Sequence, residues 1–243
     1  VLLEGHFASL VLNSRDTVWL FDLDDTLHDA TYSSLGSINL AMTEYVARHV
    51  GVSLDEASAL RQHYWHRYGA TLLGLVRHHG VKASHFLEET HQLPDLESRL
   101  RGNVHDRAAL RRLRGRKYIL TNAPRAYALR VLEGLKLASL FDGVICVEDM
   151  RMFGHPRPKP DARMFRNMAA RLKVAPGRCV LVEDTLQHQR AARGVGMRTV
   201  WMERYLKAAA KSVKKASEVG VHPCRKPPYV YAKIRALKTL HTL

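Results

Sequence analysis

Five short apolar runs punctuate this chain of 243 residues: Val18–Phe21, Tyr118–Leu120, Val144–Val147, Cys179–Val182 and Thr199–Met202. Apolar runs this short, bounded by polar residues, suit buried strands. Between the later runs the spacing becomes helical. Arg125–Leu137 places apolar side chains at Ala128, Leu129, Leu132 and Leu135, and Asp161–Leu172 does so at Met164, Phe165, Met168 and Leu172. Thr185–Arg193 is a shorter helix closing on Gly194, a suitable stop. Strands alternating with helices of this length predict an α/β fold, a Rossmann-like three-layer core with a parallel sheet between two helical layers.

The stretch between the first two runs breaks this rhythm. From Thr31 to Leu113 no convincing strand occurs, and Ile38–Val50, Asp55–Tyr68, Thr71–His79 and Ser84–His91 read as helices. Gly51, Gly69 and Gly80 fall where turns or helix caps are needed. A helical block of this length exceeds an ordinary crossover. It predicts an all-helical cap domain over residues 29–105, inserted into a core formed by residues 1–28 and 106–243. Farther on, Ala208–Ala216 reads as an exposed helix or mobile segment, and Pro223–Pro228 as an extended linker. Tyr229–Leu240 is expected to add a short terminal strand and helix.

Composition changes this picture little, because a hydrophobic content of 46% is ordinary for a globular chain. No run approaches the ~18 apolar residues of a membrane helix, so no membrane partner is expected. Val1–Phe7 lacks a basic start and a clear cleavage site, so no secretory signal is expected either. Cys146, Cys179 and Cys224 form neither a CxxC pair nor a zinc pattern, which fits a reducing cytoplasm, and Cys146 and Cys179 lie in apolar runs as core residues. The net charge is +15, of which +9 falls between Arg204 and Leu243. A basic tail of this kind can bind nucleic acid, solvate the protein or attract anionic substrates. No reader motif accompanies it, so nucleic acid is not the expected partner.

The candidate chemistry sits at the ends of the apolar runs. The first ends in Asp22, Asp24, Asp25 and Thr26, the second in Thr121 and Asn122, and the fourth in Glu183 and Asp184. Lys159 lies in Arg157-Pro-Lys-Pro, just ahead of the Asp161 helix. In parallel α/β sheets, ligands bind beyond the carboxyl ends of the strands, so these groups converge. Several carboxylates at a buried strand end are costly unless a cation meets them. Mg²⁺ is the natural candidate, since it takes oxygen ligands and retains waters and substrate phosphate.

This constellation resembles the haloacid dehalogenase superfamily. Asp22-Leu-Asp-Asp-Thr is similar to its first motif, DxDx[TV], Thr121-Asn122 to the second, Lys159 to the third and Glu183-Asp184 to the fourth, in the family's order. The resemblance implies that Asp22 is the nucleophile, forming an aspartyl-phosphate. It implies that Asp24 protonates the leaving oxygen, later activates water, and offers its backbone carbonyl to the metal. Thr121 and Asn122 would bind phosphoryl oxygens or orient the attacking groups. Lys159 would neutralise charge on the nucleophile and the transferring group. Asp184 would ligate Mg²⁺ directly, and Glu183 directly or through water. A dehalogenase lacks an acid at the Asp24 position and needs no metal, so phosphoryl transfer is the implied chemistry. At His188 the family often has Asn or Asp; a solvent-facing His188 is expected, with a hydrogen bond to the site as the alternative.

Within the helical block, the stretch from Tyr64 to Leu75 is similar to the cap of pyrimidine 5′-nucleotidases, which carry a Tyr-Gly…Gly-Leu pattern in a substrate-specificity loop. This implies Arg67, Tyr68, Gly69 and Thr71 as substrate-binding residues, with Trp65 packing the cap helices. The expected function is Mg²⁺-dependent hydrolysis of a small phosphate ester, a pyrimidine nucleoside 5′-monophosphate before a sugar phosphate or phosphoglycolate. A basic nucleic-acid-binding or scaffold protein on the same fold is the alternative from another class. Monomer and homodimer both remain open.

Overall fold

The computed structural model describes residues 14–206 and 225–243. The sequence readings for Val1–Phe7, Ala208–Ala216, Cys224 and the first part of Pro223–Pro228 lie outside the described residues.

Six strands form one sheet: β1 (Val18–Phe21), β2 (Arg116–Leu120), β3 (Gly143–Ile145), β6 (Cys179–Glu183), β7 (Arg198–Met202) and β8 (Ala232–Ile234). Their order is β3-β2-β1-β6-β7-β8, and every neighbouring pair is parallel. Strand β1 sits inside the sheet between β2 and β6, which explains why all four of its residues are apolar and buried. Its side chains alternate between faces. Trp19 and Phe21 join one core, while Val18 and Leu20 join the other. The run expected as a strand through Val147 ends at Ile145, and Val147–Asp149 turns as a 3₁₀ segment.

Helices complete two outer layers. On one face lie α6 (Leu96–Arg99), α7 (Asp106–Arg112) and α8 (Arg125–Gly134), joined by the terminal 3₁₀ segment Leu237–Thr242. On the other lie α9 (Ala162–Arg171) and α10 (Leu186–Gly194). Met164, Phe165, Met168 and Ala169 are the buried stripe of α9, so the helical spacing read from the sequence is the face turned to the sheet. Cys146 and Cys179 are fully buried free thiols. A two-stranded hairpin, β4 (Arg151–Met152) and β5 (His155–Pro156), precedes the Lys159 loop.

Between β1 and β2 the chain is helical: α1 (Ala30–Ser33), α2 (Leu35–Val50), α3 (Leu54–Tyr68), α4 (Thr71–His79) and α5 (Ala83–Thr90) precede α6. Helices α2 to α5 bury a core of their own around Tyr45, Val46, Tyr64, Leu75 and Phe86. Local signals set their ends. Ser53 and Glu56 form a reciprocal capping box at the start of α3, and Gly51, Gly69 and Gly80 close α2, α3 and α4 in the left-handed conformation. At Gly74 a Cβ would meet the Tyr64 ring at 2.1 Å, so only glycine lets α4 lie this close to α3. Leu93 and Leu96, at the end of this segment, pack into the sheet's core instead. Among the described residues no helix is long and apolar enough to cross a membrane.

Candidate active site

The Asp22 amide donates to Val182 O at 2.9 Å, which keeps the ends of β1 and β6 in step. Asp22 and Glu183 therefore emerge beside each other at the carboxyl edge. Lys159 lies between them, its Nζ donating to Asp22 Oδ1 at 2.6 Å and to Glu183 Oε2 at 2.7 Å. Only 1% of the Lys159 side chain is exposed, so this is a buried three-membered ion group. The loop that carries it is pinned from β2: Asn122 Nδ2 donates to Lys159 O, and the Lys159 amide donates to Asn122 Oδ1, both at 2.9 Å. Both ends of the Asn122 amide are thereby committed to placing the lysine.

Asp184 follows Glu183, and its backbone carbonyl accepts from Trp201 Nε1 on β7 at 2.8 Å. Oxygens of Asp22, Glu183 and Asp184 all lie within 4.8 Å of one another. Three carboxylates then face one ammonium group, an imbalance visible in their protonation. Burial and the Glu183 charge push Asp22 well above the usual carboxylate range, with Lys159 offsetting only part. Burial and the same neighbour raise Asp184. Burial also works against Glu183, but Lys159 and His188 outweigh it and hold Glu183 low. Burial opposes the Lys159 charge, yet Asp22 and Glu183 keep that charge on. A crowded, oxygen-only donor set with excess negative charge fits a hard divalent cation.

Asp24 points elsewhere. Its Oδ1 accepts from the Tyr127 hydroxyl at 2.7 Å and from His28 Nε2 at 2.9 Å. Burial alone would raise its pKa, but these bonds and the His28 charge bring it below the usual range. Neither His28 nor Tyr127 was singled out in the sequence. The i,i+4 spacing of Asp24 and His28 was visible, whereas Tyr127 comes from α8 on another strand-helix unit. Asp25 has φ of +54° and its carboxylate accepts from Thr31 N and Oγ1, so it shapes the loop. Thr26 is fully buried, and its hydroxyl has no protein partner among the described residues. The Thr121 hydroxyl, also buried, accepts from the Ala123 amide at 3.0 Å. His188 faces the site and not the solvent, which corrects the expectation for it: its Nδ1 lies 3.1 Å from Glu183 Oε2.

A cavity of ≈ 660 Å³ opens between the helical segment and the sheet, with Asp24 and Asn122 on its floor. Gly69 and Thr71 line it, whereas Arg67 and Tyr68 do not. Arg67 is exposed, and the Tyr68 hydroxyl is held at 2.7 Å by His78 on α4, so neither is presented to the cavity. The residues of α3 that reach the cavity are Arg61, Gln62 and Trp65. Trp65 is half exposed at its wall and does not fill the helical core. Residues three and four apart on a helix share a face, and Arg61 and Gln62 precede Trp65 by four and three, but the sequence did not say which face of α3 turned inward. Gly69 has a further constraint. Its φ is +82°, and a Cβ there would lie 2.5 Å from Pro160 Cδ, so the α3–α4 turn rests directly on the Lys159 loop.

The haloacid dehalogenase-like hydrolase family matches residues 18–196, a span from the start of β1 past α10. The chain belongs to this family of hydrolases. The hydrolase is 23% identical over 193 residues to Phosphate metabolism protein 8 of Saccharomyces cerevisiae, an alignment that covers 74% of this chain and 59% of that relative. The chain thus spans less than two thirds of the yeast protein. In structure it is similar to a HAD phosphatase from Thermococcus onnurineus, with a TM-score of 0.59, 22% identity, and coverage of 93% and 96% of the two chains. It is also similar to the magnesium-bound HAD-hydrolase YfnB of Bacillus subtilis, with a TM-score of 0.57, 17% identity, and coverage of 94% and 98%. At these identities the likeness establishes the fold that the hydrolase shares with them.

Proposed function

We propose that the hydrolase is a Mg²⁺-dependent phosphatase of small phosphomonoesters that works through an aspartyl-phosphate on Asp22, and that its preferred substrate is a pyrimidine nucleoside 5′-monophosphate. The observation that carries the phosphatase reading is Asp24. Its carboxylate sits at the floor of the cavity, two residues beyond the Asp22 nucleophile and apart from the Asp22, Glu183 and Asp184 cluster. Dehalogenation and phosphoryl transfer differ in what they ask of such a group: a halide leaves without a proton, whereas displacing an alkoxide from phosphorus needs a proton donor for the leaving oxygen.

Asp22, Glu183 and Asp184, with the Asp24 carbonyl, would hold the Mg²⁺. Bound there, it would balance the surplus negative charge and polarise a phosphoryl oxygen. Asp22 attacks phosphorus as the P–O bond to the leaving group breaks. Lys159, fixed by Asn122, keeps a positive charge against Asp22 and the transferring group. Asp24 Oδ1 is occupied by Tyr127 and His28, which leaves Oδ2 for the leaving oxygen. The carboxylate that these bonds keep ionised in the free protein takes up a proton once the negative charge of the phosphate binds beside it, and Oδ2 then gives that proton to the leaving oxygen. In the second half, Asp24 takes a proton from the water that attacks the phosphoryl-aspartate, and Asp22 is regenerated. The helical segment acts as the cap that selects the leaving group. Its cavity, walled by apolar side chains and Trp65, suits a flat ring of base size.

The test is phosphate release from UMP, CMP, ribose 5-phosphate, 2-phosphoglycolate and p-nitrophenyl phosphate, with Mg²⁺ and after chelation. Turnover is expected to vanish on chelation and return with Mg²⁺, with kcat/KM highest for UMP and CMP. Metal-independent turnover contradicts the phosphatase mechanism. A flat profile across the esters contradicts the nucleotidase assignment alone.

A further inference from the structure

Arg61 has a placement that the chemistry described above leaves unexplained. It lies on α3 and lines the same cavity as Asp24 and Asn122. Its guanidinium is fixed by two neutral acceptors: Nη1 donates to Thr43 Oγ1 and Nη2 to Asn39 Oδ1, each at 2.6 Å. Thr43 is itself anchored, its hydroxyl donating to Asn39 O at 2.9 Å. Arg61 Nε is buried and has no partner among the described residues. Burial pulls the Arg61 pKa down and no neighbouring carboxylate offsets it.

This is an unusual state for an arginine. A guanidinium carries five N–H donors, and burying one without an acceptor is costly, the more so on a charged group. Arg61 is partly buried, and a cation drawn out of water is ordinarily paired with a carboxylate. Here the fork is instead held rigid by neutral groups inside a cavity large enough for a ligand. Gln62 and Trp65 line the cavity beside it. Gln62 offers an amide with both a donor and an acceptor, and Trp65 offers a ring face.

We propose that Arg61 is a specificity-determining residue whose guanidinium binds a carbonyl-type oxygen on the leaving group of the substrate, at the end away from the phosphate. The proposal rests on the phosphatase reading for the reaction. It adds what the leaving group must carry. Two sources have this chemistry, the ring carbonyl of a pyrimidine and a carboxylate on a small phospho-acid. In the pyrimidine case Arg61 would serve the C2 carbonyl that uracil and cytosine share. The Gln62 amide, turned either way, would match whichever donor and acceptor pair the ring presents. Trp65 would then cover a ring face.

The experiment uses the full chain with Mg²⁺ and compares Arg61→Met and Arg61→Lys with the unaltered protein on UMP, 2-phosphoglycolate and ribose 5-phosphate. Ribose 5-phosphate keeps the sugar and phosphate but lacks the base. A hydrogen bond from a charged donor corresponds to a ~10–100-fold change. The ratio of kcat/KM for UMP to that for ribose 5-phosphate is expected to fall by that factor in Arg61→Met, mostly through KM. Arg61→Lys keeps the charge but not the planar fork, so its ratio is expected to fall as well, by less. If the unaltered enzyme instead favours 2-phosphoglycolate and the arginine variants erase that preference, the subsite stands and the nucleotidase assignment falls. If all three esters lose the same factor in both variants, or if selectivity is unchanged, Arg61 does not read the leaving group and the proposal is overturned.

Discussion

An Asp22→Asn variant is expected to release phosphate from any phosphomonoester at least about 10,000-fold more slowly than the unaltered hydrolase, whatever the Mg²⁺ concentration. The size follows from the role. An amide oxygen does not form the covalent intermediate, so no slower version of the same route remains. The fold is expected to survive. Asparagine keeps the shape of aspartate at the end of β1, and the backbone bond from residue 22 to Val182 is untouched. Lys159 retains Glu183 as a partner. Because burial and Glu183 disfavour the Asp22 charge in the metal-free protein, neutralising it is expected to leave thermal stability unchanged or raised. Phosphate release and thermal unfolding, measured on the same preparation, separate the two effects. Turnover within tenfold of the unaltered enzyme contradicts Asp22 as nucleophile.

The second large effect concerns Lys159. Replacing it by methionine removes the one ammonium group between Asp22 and Glu183, and leaves Asp22 buried without a cation and Glu183 with His188 alone. Breaking a buried ion pair from one side costs about 3–5 kcal/mol, so the metal-free variant is expected to unfold several degrees lower. A divalent cation among the carboxylates supplies part of the missing charge, and Mg²⁺ is therefore expected to restore more stability to Lys159→Met than it adds to the unaltered chain. Activity is expected to fall ~100–1,000-fold even with saturating Mg²⁺, since the preorganised charge facing the transferring group is gone. Unfolding followed by calorimetry with and without Mg²⁺ checks the first part. An equal Mg²⁺ effect on both proteins contradicts it.

Both effects concern residues that sequence alone could single out, and the reason is local. A strand buried on both faces must be an apolar run, and a carboxylate at its end is conspicuous. Asp22, Glu183 and Asp184 were legible in this way, as was the parallel sheet that delivers them. Helix caps were legible too, because Gly51, Gly69 and Gly80 supply the left-handed conformation that helix ends require. Short elements were not: the β4–β5 hairpin has two residues a strand, too few for any period to show.

The cavity wall was hardest to read. Arg67 and Tyr68 carry the chemistry expected of a substrate loop, yet α3 turns Arg61, Gln62 and Trp65 to the cavity and gives the Tyr68 hydroxyl to His78. Which side of α3 meets the cavity is decided by packing against α2 and α4, a tertiary matter. Tyr127 was missed, and His188 was expected to face solvent, for a related reason. Each becomes meaningful only when another element brings Glu183 or Asp24 against it.

In the proposed mechanism a phosphoryl group passes through Asp22, with Asp24 as acid and base. An Asp24→Asn variant tests it most directly, mixed rapidly with p-nitrophenyl phosphate and Mg²⁺. That leaving group departs without a proton, so the first half of the reaction proceeds while the water step is stalled. The expected result is a burst of one nitrophenolate per protein molecule, followed by slow turnover, with phosphate recovered on the peptide containing Asp22 after acid quench. Absence of the burst, or phosphate carried on a different residue, contradicts the mechanism.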